Sequence, residues 1–215
     1  MKKTTKKKKI DRGKVLTTIK QAAKIYKEKL VGKSFLYVFE GHHIEVIYKA
    51  ENFKHLTGVY SPLGASKFYS YAARGILTTE QIDFNPRHPY HLSERKLKHI
   101  EEVANLAVSE IFMLEDITTK SYTYRFGCTD LNFSLCLDPE KDKEGNPTGN
   151  RYIAESLRDE DCFSKSKEAY VVTHIFCRNN DEKHYNKLLF MDSNYTINDL
   201  SESVKSLLIN DLKKD

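Results

Sequence analysis

The segment Asn52-Phe53-Lys54-His55-Leu56-Thr57-Gly58 sets an imidazole between a lysine and a glycine turn, just after two runs rich in aromatic and β-branched residues. A histidine held in a cleft serves as a general acid or base near neutral pH, because its ordinary pKa lies there. A histidine flanked by Phe53 and Leu56 is also a common packing residue that hydrogen-bonds around a turn, so His55 carries both readings. Taken as extended chain, the segment turns Lys54 away from His55, toward the surface or a substrate phosphate.

Several chemistries lose their support. The sequence has no Gly-x-x-x-x-Gly-Lys-Ser/Thr loop, no dinucleotide glycine fingerprint, no Gly-x-Ser-x-Gly elbow and no His-Glu-x-x-His helix. His88 and His91 have a His-x-x-His spacing with no ligand set around them, and the carboxylates form no spaced metal-binding set, so no metal is expected. Cys128, Cys136, Cys162 and Cys177 are scattered without a Cys-x-x-Cys pair, and buried free thiols are expected. The Lys, His, Arg, Tyr and Ser side chains that remain suit metal-free cleavage of RNA, without a small-molecule cofactor. There a base deprotonates the ribose 2′-OH, an acid protonates the departing 5′-oxygen, and cations stabilise charge on phosphorus.

The elements that must position these groups follow from periodicity. Val15, Ile19, Ala22, Tyr26 and Leu30 recur at helical spacing, predicting a helix over 14–31 closed by Gly32. Lys20, Lys24 and Lys27 line another face, either a solvated surface or a phosphate-binding stripe. Phe35 to Phe39 and Ile44 to Tyr48 read as a hairpin with His42 and His43 on its turn. Helices are predicted from Ala65 to Leu77 and from Ser93, as N-cap, to about Leu114. Asn85 to His91 is a proline-broken loop between them. Strands follow at Tyr122–Phe126, Leu131–Leu137, Tyr152–Leu157, Tyr170–Phe176, with His174 as a core histidine, and Tyr185–Met191. A closing helix is predicted over Ile197 to Leu212. Helices followed by a run of antiparallel strands argue for an α+β fold, with a C-terminal sheet of four to five strands.

With 215 residues, 40% apolar and 11% aromatic, the chain can bury one substantial core, read as a single domain over 10–215. The net charge is +5, but residues 2–9 hold six lysines and no acid, leaving −1 for the rest. Residues 1–9 are therefore read as a basic disordered tail, which either neutralises nucleic-acid phosphates or only aids solubility. No apolar run is long enough to span a bilayer and no apolar stretch follows the first lysines, so a cytoplasmic location without a membrane partner is expected.

Three stretches together carry a family resemblance: Lys49 to Gly58, Asn150 to Arg158, and Ala169 to Ile175 followed by Tyr185 to Phe190. From about Val15 to Met191 the chain resembles the phage-associated nuclease domains of the barnase, EndoU, colicin and RelE-like group. The resemblance implies an α+β nuclease fold, an RNA substrate and metal-independent transesterification, in a toxin or phage-linked effector. Residue by residue it points to His55 in the Phe-x-His-Leu-x-Gly match, and to Ser156 with Arg158 in the Ser-Leu match. One departure is Ala154, where the family pattern often has proline before the Ser-Leu element. Arg158 has the planar donor fork for clamping a phosphate, although Asp159, Glu160 and Asp161 adjoin it. Ser156 either donates to a phosphate oxygen or satisfies backbone groups at a strand end. Strand alternation puts Tyr152 on the Ser156 face, where it stacks on a base or packs in the core. The alternative to an RNase is a noncatalytic protein of a mobile element, an inhibitor or interaction module that binds a nucleic acid or a host complex; the protein partner expected besides RNA is a protein inhibitor or a host complex.

Overall fold

The computed structural model describes residues 10–213, so the basic segment 1–9 lies outside the described residues. The fold is α+β. Its first helix, α1 (Arg12–Lys29), is capped by Asp11, whose carboxylate accepts from the Lys14 amide at 3.0 Å. It buries Val15, Ile19, Ala22, Ala23 and Tyr26, and each large apolar side chain so buried contributes about 1.5–3 kcal/mol relative to exposure. Helices α2 (Asn52–Thr57), α3 (Ala65–Ala73) and α4 (Tyr90–His99) share this core with one face of the sheet.

Among the described residues nine strands form one mixed sheet: β1 (Lys33–Phe39), β2 (His42–Ile47), β3 (Phe112–Thr118), β4 (Thr123–Thr129), β5 (Ser134–Lys141), β6 (Pro147–Arg158), β7 (Glu168–Val171), β8 (His174–Asn179) and β9 (Lys187–Met191). Their order is β7-β3-β4-β5-β6-β2-β1-β8-β9. The expectation of four to five antiparallel strands is thus too small, for two reasons. The N-terminal hairpin joins the same sheet because β2 pairs with β6 in parallel, a contact between residues about a hundred positions apart. In addition β3 occupies the end of the segment read as a helix from Ser93 to Leu114. That helix stops at His99, a 3-10 turn spans Val103–Ala107, and the chain extends from Phe112.

Other boundaries move as well. His42 and His43 belong to β2, because a two-residue turn of Glu40 (φ 44°) and Gly41 (φ 75°) suffices. Ser93 lies inside α4, where its hydroxyl donates to the Gly58 carbonyl at 2.8 Å rather than capping the helix. The run Tyr170–Phe176 is two strands, broken at Val172 and Thr173. There the Val172 amide donates to Ile111 and the Thr173 amide to Val38, so the chain leaves β3 for β1 and the sheet curls back on itself. Phe39 on β1 then stacks on Tyr170 of β7 at 5.4 Å. The closing helix shrinks to α5 (Glu202–Lys205) between 3-10 turns. This segment covers the outer face of β1, where Ile197, Leu200, Val204 and Leu208 pack on Leu36 and Val38. Covered on both faces, β1 is buried along nearly its whole length. All four cysteines are buried free thiols.

Candidate active site

His55 is presented by a short helix and not by extended chain. Phe53, Leu56 and Thr57 anchor the buried side of α2, where Phe53 packs against Tyr26 at 5.2 Å and Tyr69 at 5.5 Å. The Tyr26 hydroxyl also donates to the Lys49 carbonyl at 3.1 Å, tying α1 to the turn before α2. The opposite side of α2 carries His55, whose side chain is 57% exposed. Gly58 ends the helix in the left-handed region at φ 71°, and a Cβ there would stand 2.9 Å from the Lys96 side chain. Glycine is required twice over, for the turn and for the approach of α4.

Across from α2, the β5–β6 register slips: Cys136 pairs with Ser156 but Leu137 pairs with Ala154. Glu155 is the extra residue of this bulge, and bulges re-aim side chains. Its Oε1 lies 4.0 Å from His55 Nε2, and its Oε2 accepts from Asn52 Nδ2 at 3.3 Å. Asn52 sits three residues before His55 on the same helix, the spacing that brings side chains onto one face. Lys96 of α4 completes the group: its Nζ donates to the His55 carbonyl at 3.1 Å and reaches the Ser156 hydroxyl at 3.5 Å.

The electrostatics of the group oppose extra positive charge. Packing, followed by the charges of Lys96, His88 and Arg158, lowers the His55 pKa to about 4. This lies below the ordinary imidazole value and favours the neutral ring at pH 7. Burial and the nearby Arg158 lower Lys96 to about 8, so it remains mostly charged at pH 7 yet gives up its proton more easily than an exposed lysine. Glu155 is shifted upward, by burial and then by Asp138. A cleft of about 360 Å³ opens here, with Lys54, His55, Gly58, Arg87, His88 and Lys96 in its wall. The Arg87 side chain is exposed and has no ion-pair partner among the described residues.

The residues singled out from sequence are only partly assembled. Ser156 is buried and meets the site through Lys96. Arg158 acts on His55 by charge, while its guanidinium borders a separate recess with Thr119 and Lys165 and donates to the Tyr124 hydroxyl at 3.2 Å. Its Nε is buried without a hydrogen-bond partner among the described residues. Lys54 lines the cleft, but its ammonium is held by the Ser61 and Leu63 carbonyls at 2.8 and 2.7 Å. Tyr152 is separated from Ser156 by the bulge, which breaks the strand alternation; its ring packs on Phe126 at 5.0 Å in the main core. On α1, Lys24 and Lys27 are exposed and Lys20 half-buried, and none borders the cleft. His174 is a buried core histidine stacked on Phe176 at 5.8 Å.

Sequence reasoning did not single out Asn52, Glu155, Arg87 or Lys96 as site residues. The spacing of Asn52 and His55 is a signal once the segment is read as a helix; nothing local marks Lys96, which arrives from forty residues away. Neither a curated protein nor a solved structure matches the chain. One family model does match, spanning residues 18–194 and so most of the fold just described, including α2, α4 and the bulged β6. The chain belongs to the phage-Barnase-EndoU-ColicinE5/D-RelE like nuclease4 family.

Proposed function

We propose that the protein is a ribonuclease that cleaves RNA by attack of the 2′-OH on the adjoining phosphate, without a metal ion, as a toxin or phage-linked effector. The observation that carries this reading is a neutral imidazole facing a cleft whose wall also holds Lys54, Arg87, His88 and Lys96. In this scheme His55 takes the 2′-OH proton, and Glu155, 4.0 Å away, offsets the imidazolium that forms. Lys96 and Arg87 face the charge that grows on the phosphorane, and Lys96, with a pKa of about 8, is the proton donor to the departing 5′-oxygen. A bound phosphodiester offsets the cations that depress His55, so its pKa rises in the complex toward the range suited to a base at pH 7.

A second reading is a nucleic-acid-binding protein without catalysis. One observation favours it: a free-state pKa of about 4 makes His55 a weak base. Purified protein incubated with RNA in EDTA separates the two. The ribonuclease reading expects 2′,3′-cyclic phosphate ends and intact DNA. Binding without cleavage supports the second reading, and 5′-phosphate products that need a divalent ion overturn the proposed chemistry.

A further inference from the structure

The curl of the sheet leaves a second opening, at the end where β1 turns into β2. It is a recess of about 270 Å³, and concave recesses lined by aromatic side chains with a few polar groups are common ligand sites. Its floor is aromatic: Phe39 stacks on Tyr170, meets Phe126 edge-on at 5.9 Å, and Phe126 in turn meets Tyr152 at 5.0 Å. Polar groups stand around this floor. Arg125 is fixed by Glu115 at 2.6 Å and Asp116 at 2.7 Å, with its guanidinium 5.4 Å from the Phe126 ring centre. Asn150 lines the rim and donates from its amide to the His43 carbonyl.

The charge balance decides what fits. Arg125 is matched by Glu115 and Asp116, and burial, then His42, lowers the His43 pKa, so the lining offers no surplus positive charge to an anion. A planar uncharged ring with donors and acceptors on its edge matches both the aromatic floor and the amide, guanidinium and carboxylate above it. We propose that this recess binds a single unpaired nucleobase. Strand β6 supplies Asn150 and Tyr152 to the recess and Glu155 to the His55 site, with Tyr152 and Glu155, three residues apart, on opposite faces of the strand. The base site therefore stands apart from the His55 site, and the binding of a base there does not rest on the ribonuclease reading.

The test is a titration that does not depend on cleavage. The ring signals of His42, His43 and His55 are followed by NMR while free nucleosides, or a fully 2′-O-methylated single-stranded RNA oligonucleotide, are added to the whole chain. The expected result is displacement of the His42 and His43 signals by the oligonucleotide. Displacement by nucleosides as well identifies free nucleosides as a second source of the base. Arg125→Ala and Asn150→Ala, both at exposed positions and checked for unchanged melting, should each weaken binding by roughly tenfold or more, while His55→Ala leaves these shifts in place. If neither ligand moves His42 or His43, or if both variants bind as the parent does, the recess is not a base site, whatever happens at His55. If His42 and His43 respond and no RNA is cleaved, the ribonuclease reading fails and the base site stands.

Discussion

Replacing Lys96 by methionine separates a catalytic cation from a structural one, because the structure assigns it opposite effects on activity and stability. Methionine keeps the apolar stem and removes the charge. Burial holds Lys96 at about 8 instead of its usual 10.5, so the folded state disfavours the ammonium. The cost of keeping it charged is fully present below pH 8 and fades as pH rises from 8 to 10.5. It is on the order of 1–3 kcal/mol, against about 1 kcal/mol lost with the hydrogen bond to the His55 carbonyl. Below pH 8 Lys96→Met should therefore melt at the parent temperature or up to about 6 °C above it, an advantage that disappears above pH 10.5. Cleavage of a fluorogenic RNA should fall by roughly a hundredfold, as for loss of a charge-stabilising donor, and the alkaline decline of kcat/KM near pH 8 should vanish. The His55 ring, relieved of the charge that depresses it most after burial, should titrate above the parent value of about 4 in an NMR experiment that needs no activity. A variant that melts lower, keeps its rate and leaves His55 titrating as before would refute the argument and reduce Lys96 to a strut for α2.

His55→Ala should reduce RNA cleavage by roughly a hundredfold or more with RNA affinity nearly unchanged, the effect of removing a proton acceptor; a lowered melting temperature with an intact rate per folded molecule would instead make His55 a packing residue. Arg158→Ala should raise the pKa of the His55 ring in an NMR titration and lower stability through the lost hydrogen bond to Tyr124, whereas an unchanged His55 titration would show that the charge of Arg158 does not reach the site. Gly58→Ala should destabilise the fold by about 1–2 kcal/mol in thermal melts, because φ is 71° and the new Cβ meets Lys96 at 2.9 Å; equal stability would mean that α4 shifts freely. Removing residues 1–9, with six lysines, should leave the melting curve unchanged and flatten the salt dependence of RNA binding, and an identical salt slope would reject a nucleic-acid role for that segment.

Features set by neighbours along the chain are legible before folding is considered. The helical spacing of Val15, Ile19, Ala22 and Tyr26 marks α1, the aromatic and β-branched runs mark β1 and β2, and the Phe-x-His-Leu-x-Gly pattern carries the family resemblance that the match over 18–194 supports. Local pattern misled where two periods coincide: apolar residues from Leu97 to Leu114 keep helical spacing across a 3-10 turn and into β3, and only pairing with β4 and β7 makes the end of that run a strand. Tertiary structure alone decided the site. His55 and Asn52 come from α2, Glu155 from a bulge that exists only because β5 and β6 pair out of step, and Lys96 from a helix that reaches α2 across Gly58. The pKa values follow the same division, because an imidazole at about 4 and an ammonium at about 8 result from burial and charges brought together through space, and neither quantity is written in the residues adjoining His55 or Lys96.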